Sequence, residues 1–253
     1  MTSQNPISVQ MYTLRDAVAV DYLGTLRAVA ELGFRAVELV TLGDMVAIEL
    51  RRELDILGLR ASGMHVGLER LESQLEAALD DVETLGALFV IMPNTPPERR
   101  RHAADYRRLG QSLTTIGEAA QRRGLQLCYH HHDFEFERFD GATGLTILLE
   151  EAAPTLVKAE IDVYWAAKAG IDPVTLISGM VGSVPLVHLK DMADSAEQEF
   201  AEVGHGTLDF RAILAAGDAA GVEWYVVEQD VCKRPPLESV GMSLAYLHSL
   251  GRV

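Results

Sequence analysis

The sequence predicts a single α/β domain of the (β/α)8 TIM-barrel class spanning residues 1–253. Two observations lead to this prediction. Short apolar runs alternate with longer amphipathic segments from end to end, and a glycine repeatedly separates an amphipathic segment from the next apolar run. With 253 residues and 48% hydrophobic content, the chain is long enough for one large core. It contains no linker or low-complexity segment, so we expect one domain.

Eight apolar runs have the length of buried strands, and each is bounded by turn residues or charge. They are Ile7–Met11, Ala36–Val40, Arg60–His65, Leu88–Met92, Gln126–His130, Val157–Ile161, Val184–Leu189 and Trp224–Glu228. The segments between them have helical spacing. Residues 22–32, for example, place apolar groups on one face and leave Arg27 and Glu31 outside. Eight such units predict closure into a barrel.

Glycine and proline mark the ends of the predicted helices. A glycine stands just after a helix and just before a strand at five places, where a left-handed cap residue is expected. These glycines are Gly33, Gly58, Gly86, Gly124 and Gly221. Pro173 and the pair Pro235 and Pro236 stand at predicted helix starts, which proline favours.

Charge and cysteine content exclude several classes of partner. The formal net charge is -15, with 37 acidic against 22 basic residues, so the average field repels nucleic acid and anionic membranes. Cys128 and Cys232 are the two cysteines, which gives no disulfide framework. No signal segment and no apolar run of membrane-spanning length is visible. We therefore expect a soluble, cytoplasmic protein.

Polar side chains stand at nearly every predicted strand end, where a (β/α)8 barrel forms its active site. In chain order they are Gln10, Tyr12, Glu38, His65, Asn94, His130, His132, Glu135, Asp162, His188, Lys190, Glu228 and Asp230. Strands 5 to 8 thus bring carboxylates and imidazoles to one rim. The two longest irregular segments, residues 92–98 and 190–208, follow strands on the same face and are candidate lids.

Alternation along the strands assigns these side chains to faces. His130 and His132 share one face, and His131 takes the other. Lys158 and Glu160 lie on the same face as the strand-end Asp162. We expect these two to compensate each other inside the barrel, because a buried lone charge is costly.

The strand ends also predict a metal site. Asp162, His188, Glu228 and one group from the segment CYHHHDFEFE (Cys128–Glu137) have the donor types for one divalent ion. Oxygen ligands with one imidazole favour Mn, Mg, Co or Zn.

Seven motifs spread over nearly the whole chain are similar to those of one superfamily. They are VQMYTLRD (Val9–Asp16), GFRAVEL (Gly33–Leu39), YHHHDFEF (Tyr129–Phe136), IDVYWAAKAGIDP (Ile161–Pro173), VHLKD (Val187–Asp191), VGHGTLDF (Val203–Phe210) and VVEQD (Val226–Asp230). With them the chain resembles the xylose-isomerase-like TIM-barrel superfamily of sugar and sugar phosphate isomerases and epimerases. That superfamily also contains inosose dehydratase, 3-keto-glycoside lyases and endonuclease IV.

The resemblance implies one metal ion held by residues from strands 5 to 8. Three ligands match Asp162, His188 and Glu228, and the fourth is expected to be Glu135, with His130 as the alternative. It further implies an isomerase or epimerase of carbohydrate metabolism that acts on a free or phosphorylated ketose through a metal-stabilised enediolate. Glu135 and Glu228 would be the proton-transfer pair.

The other polar strand-end residues are expected to serve the substrate. Lys190 and His132 would relay protons or orient hydroxyl groups, and His131 stands where the relatives usually have Asn. Substrate contacts are expected from Gln10, Tyr12, Glu38, His65, His130, Trp165 and Asp230. Trp165 is equally compatible with a core position.

Two other functions remain open at this point. A lyase or dehydratase acting on a keto-sugar or cyclitol ketone shares the enolate and differs in having an acid that expels a leaving group, for which His132 or Lys190 would serve. A metal- and sugar-binding protein without turnover is the other. The negative charge disfavours a DNA repair enzyme. Relatives are often dimers or tetramers, so the resemblance implies a homo-oligomer.

Overall fold

The computed structural model describes residues 6–252, and in them eight parallel strands close into a barrel. The strands, here β1 to β8 in chain order, are Ile7–Gln10, Ala36–Leu39, Arg60–His65, Phe89–Met92, Gln126–His130, Val157–Asp162, Leu186–Leu189 and Trp224–Val227. Each strand pairs with its neighbours in sequence, and β8 pairs with β1. The (β/α)8 prediction is confirmed, and the predicted runs differ from the strands only at their ends.

Eleven α-helices follow or connect these strands. In chain order, α1 to α11 are Arg15–Val20, Tyr22–Leu32, Ala47–Leu57, Leu68–Ser73, Leu75–Leu85, Ala103–Arg122, Gly144–Glu151, Val163–Lys168, Pro173–Ser178, Phe210–Ala220 and Pro236–Ser249. Short 3-10 helices cover Met11–Leu14, Pro97–Arg99 and Phe134–Phe136. Two small antiparallel pairs join Arg138–Phe139 to Ala142–Thr143 and Asp191–Met192 to Phe200–Ala201.

The glycines predicted to end helices and the prolines predicted to start them are found at these positions. The five glycines that precede strands all have positive φ, between 67° at Gly58 and 112° at Gly33. A left-handed residue ends a helix at little cost only when it lacks a Cβ atom. Pro173 and Pro236 are the first residues of α9 and α11, as proline's fixed φ favours.

Two separate apolar clusters support the polar site. The larger one lies between the helices and the outer surface of the barrel, and it includes Leu26, Leu54 and Tyr129. The smaller one comprises Phe89, Ile91, Cys128 and Leu186, against which Trp224 packs. Its residues alternate along β4, β5 and β7 with those of the larger cluster, so it fills the barrel interior.

Strand register brings the polar residues together above this apolar floor. Asp162 on β6 pairs with His188 on β7, and His130 on β5 pairs with Glu160 on β6. Because neighbouring parallel strands lie about 4.8 Å apart, side chains at these register positions come within reach of one another.

Membrane spans and disulfides are both absent from residues 6–252. No helix there combines the length and the apolar character needed to cross a bilayer. Cys128 and Cys232 are free thiols.

Candidate metal centre and substrate cavity

A cavity of about 300 Å³ opens at the carboxyl ends of the strands. It is lined by Tyr12, Val40, His65, Gly67, Pro93, Asn94, His130, His132, Lys190, Glu228 and Asp230. Gln10 and Glu38, predicted as substrate contacts, are fully buried and do not line it. The side-chain amide of Gln10 instead donates to Glu38 Oε1 at 2.7 Å. These two residues therefore lie beneath the cavity wall, where they contact each other and not the cavity.

Four side chains from consecutive strands converge beside the cavity. We call them the outer group: His130 ends β5, Asp162 ends β6, His188 lies on β7 and Glu228 follows β8. One potential ligand atom from each lies within 4.8 Å of the others, and all four residues are buried. Two carboxylates and two imidazoles form a donor set for Mn, Co, Zn or a similar divalent ion.

Asp162 presents one oxygen to this group and uses the other to cap a helix. Its Oδ1 accepts the backbone N–H groups of Tyr164 and Trp165 at 2.9 and 3.0 Å, which fixes the carboxylate at the start of α8. Its Oδ2 accepts no hydrogen bond and lies 3.0 Å from Lys190 Nζ. Burial raises the pKa of Asp162 to about 6. Oδ2 therefore faces a cation but accepts no hydrogen bond, which leaves it a lone pair for a metal ion.

The ammonium of Lys190 stands at the meeting point of three carboxylates. Nζ lies 3.0 Å from Asp162 Oδ2, 2.9 Å from Glu228 Oε2 and 2.7 Å from Asp230 Oδ2. Burial acts to lower the pKa of Lys190, but these carboxylates outweigh it and hold the pKa well above its ordinary value. A positive charge is therefore already favoured here, and the oxygens fit a divalent cation.

His130 has the protonation state that a metal ligand needs. Burial, with the positive charges of His188 and Lys190 nearby, holds the pKa of His130 well below its ordinary value. A neutral imidazole offers a lone pair, whereas an imidazolium does not. The outer group thus fits a divalent ion in geometry and in donor types, and His188 would give up a proton when the ion binds.

A second layer of polar side chains, the inner group of Glu38, His65 and Glu160, holds His188 from below. His188 Nδ1 lies 2.7 Å from Glu228 Oε2, while Nε2 lies 2.7 Å from Glu38 Oε1 and 3.2 Å from Glu160 Oε2. Burial acts to lower the pKa of His188, but these carboxylates hold it well above its ordinary value. A carboxylate on the far nitrogen fixes the orientation of a metal-binding imidazole.

The inner group corrects one prediction about charge compensation. Glu160 Oε2 lies 3.1 Å from His65 Nε2 and 3.0 Å from His130 Nδ1, so its partners are imidazoles. Lys158 instead donates to the carbonyl oxygen of Gly182 at 2.8 Å. The predicted pairing of Lys158 with Glu160 is wrong, because the barrel interior already supplies cationic partners. Burial acts to lower the pKa of His65, but Glu38 and Glu160 raise it to about 9.

Glu135 does not join the outer group. Its Oε1 accepts the Tyr129 hydroxyl at 2.5 Å, and its Oε2 accepts the backbone N–H of His132 at 2.7 Å. It lies in the 3-10 helix Phe134–Phe136 and is fully buried, and burial raises its pKa to about 7. The sequence prediction favoured Glu135 as the fifth-strand ligand with His130 as the alternative, and in the structure it is His130 whose side chain lies close to Asp162, His188 and Glu228.

His131 joins the ends of β5 and β6. Its Nε2 accepts the backbone N–H of Asp162 at 3.1 Å, so the proton is on Nδ1, which donates to the carbonyl oxygen of His132, also at 3.1 Å. Burial lowers its pKa to about 4, which keeps the ring neutral. The ring thus fixes the position of Asp162 relative to His132, a role that the sequence did not indicate.

Replacing His131 tests this bridge. In His131→Leu the Asp162 N–H and the His132 carbonyl lose their partners, and we expect metal affinity to fall about 10- to 100-fold, as for other residues that orient ligands. His131→Asn keeps a donor and an acceptor and should lose less. Co²⁺ titration of the two variants measures the difference, with exposed His248→Asn as control. Equal affinity in wild type and His131→Leu would contradict the role.

Aromatic rings fix the side wall of the cavity. The His132 ring stacks on Phe134 with centroids 5.2 Å apart, and the Arg100 guanidinium lies 3.5 Å from the centroid of the Phe134 ring. Trp165 approaches His132 at 5.5 Å. The buried atoms His132 Nδ1 and Trp165 Nε1 have no hydrogen-bond partner. Burial and Lys190 lower the pKa of His132 to about 3, so this wall offers neutral polar groups.

Asp191 organises the long loop after β7. Its Oδ1 accepts the N–H groups of Met192 and Leu208 at 2.7 and 3.1 Å, and its Oδ2 accepts those of Gly204 and Gly206 at 3.0 and 2.8 Å. A Cβ atom at Gly206 would collide with the Met192 carbonyl and the Asp191 carboxyl group. The two glycines therefore bind a carboxylate of the chain itself.

Removal of this carboxylate should destabilise the protein. Asp191→Ala leaves four amide groups without an acceptor, and we expect the free energy of unfolding to fall by about 2–4 kcal/mol. Asp191→Asn, which keeps one acceptor oxygen, should lose roughly half as much. Urea unfolding measures both, with Asp194→Ala in the exposed part of the same loop as control. A loss no larger than that of the control would contradict this role of Asp191.

The roles of several residues were not predicted from the sequence, because most of their partners are distant in the chain. The backbone partners of Asp191 extend to Leu208. The sequence predicted that Glu160 is a charge inside the barrel, but it did not indicate that histidines would be its partners. For His131, strand alternation correctly predicted a face opposite to that of His130 and His132, but not the contact with Asp162.

A family model described as the xylose isomerase-like TIM barrel matches residues 26–250. The chain belongs to the xylose isomerase-like TIM-barrel family. This confirms the resemblance that the seven motifs indicated and accounts for the closed barrel.

Curated relatives within this family match part of the chain. An inosose dehydratase of Geobacillus thermodenitrificans is 29% identical over 151 residues, which cover 50% of this chain and 48% of that protein. An inosose dehydratase of Lacticaseibacillus casei is 25% identical over 162 residues, covering 56% and 54%. The chain thus spans about half the length of the curated relatives it matches.

Solved structures of the xylose isomerase-like fold match nearly all of it. A sugar phosphate isomerase/epimerase from Parabacteroides distasonis superimposes with a TM-score of 0.83 at 23% identity, covering 98% of this chain and 95% of that one. The IOLI protein with a bound zinc atom gives 0.77 at 13% identity, covering 97% and 98%. At these identities the likeness shows the fold.

Proposed function

We propose that this chain is a metal-dependent lyase of the dehydratase type, which removes a proton next to the carbonyl group of a polyhydroxy ketone and expels a neighbouring hydroxyl group as water. One observation carries the proposal. A single ligand carboxylate, Glu228, lines the cavity and lies 2.9 Å from the Lys190 ammonium, whereas Glu135 faces away from the outer group. An acid and a base in contact suit elimination.

A divalent ion held by His130, Asp162, His188 and Glu228 would supply Lewis-acid polarisation of the substrate carbonyl. Side chains of the protein itself transfer the protons. Glu228 is the base: burial acts to raise its pKa, but Lys190 and His188 hold it below the usual range, so the carboxylate is ionised. Lys190 is the acid that protonates the leaving hydroxyl group. Because the two side chains touch, the proton removed from carbon returns to Lys190.

The cavity wall supports the same reaction. Neutral His132 offers an unpartnered Nδ1 that suits a substrate hydroxyl group, and the Phe134 ring against it fixes the orientation. Preorganised donors of this kind stabilise a transition state without reorganisation during the reaction. The names of the curated relatives, inosose dehydratases, support a cyclitol ketone or keto-sugar as the substrate class.

An isomerase or epimerase of a ketose is the second candidate. His132 on the β5 side and Glu228 on the β8 side line one cavity, so a proton taken by one group could be returned on the opposite face of the substrate by way of the other. The similar structure from Parabacteroides distasonis is that of a sugar phosphate isomerase/epimerase, a protein of this reaction class.

Solvent exchange separates these functions. Metal-loaded protein in heavy water is incubated with a panel of keto-sugars, ketoses and inosose, and NMR follows deuterium at carbon. Exchange accompanied by loss of water supports the dehydratase, and exchange with formation of an epimer or isomer supports the second candidate. Binding without exchange on every compound would contradict both and indicate a sugar-binding protein.

A further inference from the structure

We propose that the site accepts only uncharged polyhydroxy ketones and rejects their phosphate esters. This inference rests on the proposed function and narrows its substrate class. Phosphate groups are bound in proteins by unpaired Lys or Arg side chains, by clusters of backbone N–H groups and by helix N-termini. Around this cavity the Lys and Arg side chains and the N–H groups of the loop after β7 are already bound to other groups of the chain, and the uncapped helix start at Gly67 belongs to a helix of 6 residues.

The loop after β7 has the form of a phosphate cradle but is filled. In barrels of this class a phosphate site frequently forms in the loops after strands 7 and 8. Here the N–H groups of Gly204 and Gly206 point to the Asp191 carboxylate at 3.0 and 2.8 Å. Asp191 is completely buried and takes the place that an anion would occupy. A phosphate could enter only by displacing a covalently attached carboxylate.

Lys190 is the ammonium group in the cavity wall, and it is not available to a phosphate. It contacts Asp162, Glu228 and Asp230 and is only 1% exposed. A phosphate near Nζ would therefore also face these three carboxylates. Like charges in a partly buried site repel strongly because water screens them poorly.

Two guanidinium groups near the rim are also fixed. Arg15 donates to the carbonyl oxygens of Tyr12 and Asp230, both at 2.9 Å, and lies over the Tyr12 ring. Arg100 donates to the carbonyl oxygen of Thr95 at 3.0 Å and lies over the Phe134 ring. Neither guanidinium group lines the cavity, and each supports an aromatic ring, that of Tyr12 or Phe134.

Carboxylates are concentrated at the site. Five of them, Glu38, Glu160, Asp162, Glu228 and Asp230, lie at the cavity or directly below it. Among the described residues, Lys190 is the one Lys or Arg side chain that lines the cavity, and three of these carboxylates contact it. An incoming phosphate dianion would therefore face several carboxylates near this ammonium group.

The groups that do lack partners match hydroxyl groups. His132, which lines the cavity, has an Nδ1 atom without a hydrogen-bond partner that serves as donor or acceptor according to its tautomer, and Trp165, whose Nε1 donor is also unpaired, lies against the His132 ring at 5.5 Å. An aromatic face beside a polar donor is suited to the C–H and O–H surface of an uncharged sugar.

Matched substrate pairs test the inference. Metal-loaded protein is given fructose and fructose 6-phosphate, xylulose and xylulose 5-phosphate, and inosose with its monophosphate. Calorimetry measures Kd and NMR measures exchange in heavy water. We expect a free member to bind at least about tenfold more tightly than its phosphate ester, and only free members to exchange. Asp230→Ala should reduce this selectivity severalfold, whereas the matched charge loss in exposed Asp194→Ala should leave it unchanged.

The outcomes distinguish this inference from the proposed function. Exchange or equally tight binding by a phosphorylated member overturns the inference and leaves the proposed function standing. Selective binding of the free member without exchange supports the inference and overturns the function. Absence of binding by both members across the panel contradicts both.

Discussion

Asp162→Asn is expected to abolish stable metal binding. The substitution replaces Oδ2, the oxygen that accepts no hydrogen bond inside the outer group, by an amide NH₂ that cannot donate a lone pair to a cation. Oδ1 remains to cap α8, so the fold should persist. We expect wild type to retain about one divalent ion per chain after dialysis and the variant to lose at least about 100-fold in affinity, more than residues that only orient ligands.

Asp172→Asn is the matched control for this experiment. Asp172 caps α9 as Asp162 caps α8, accepting the N–H groups of Val174 and Thr175 at 3.2 and 3.1 Å, but it is exposed, whereas the outer group is buried. Elemental analysis of both proteins separates loss of a ligand from loss of a helix cap. Full metal content in Asp162→Asn would contradict the assignment of this residue.

Lys190→Met should abolish turnover while leaving the metal in place. Loss of a general acid typically costs about 10²- to 10⁴-fold in rate, and we expect kcat to fall within this range. The metal should bind at least as tightly as in wild type, because removal of the ammonium leaves Asp162 and Glu228 with less positive charge nearby. Lys190→Arg preserves the charge but not the compact donor, so it should not restore activity.

Lys168→Met provides the control for Lys190. Lys168 lies at the end of α8 and donates to the Glu197 carbonyl oxygen at 2.7 Å without touching the outer group. Its loss should leave both kcat and metal affinity unchanged. If Lys190→Met retained near-normal turnover, the acid in the proposed elimination would have to be another group, and His132 is the next candidate in the cavity wall.

The fold was predictable because it depends on local patterns. Strand alternation, helical spacing and the cap glycines are properties of neighbouring residues, and they identified all eight strands. The same alternation correctly placed His130 on the inward face of β5 and separated it from His131. Three outer-group residues, Asp162, His188 and Glu228, were identified for the same reason, since each directly ends or follows a regular strand.

The fourth member of the outer group was harder to predict, because the expected residue, Glu135, lies beyond the regular strand. After His132 the chain turns into a 3-10 helix, so strand alternation no longer predicts where side chains point. Tyr129, six residues earlier, binds the Glu135 carboxylate and holds it away from the outer group. Apart from the contact of Asp191 with Met192, the inner group and the Asp191 contacts depend on pairs 13 to 150 residues apart in sequence, which one sequence does not reveal.

The identity of the fifth-strand ligand decides both the metal centre and the type of reaction. Metal content of His130→Ala and Glu135→Gln, measured side by side by elemental analysis after dialysis, tests it most directly. We expect His130→Ala to lose the ion and Glu135→Gln to keep about one per chain, because Gln keeps an acceptor oxygen for the His132 N–H and its NH₂ group can donate to the Tyr129 hydroxyl oxygen. Retention in His130→Ala with loss in Glu135→Gln would contradict the outer group and would restore the carboxylate pair of an epimerase.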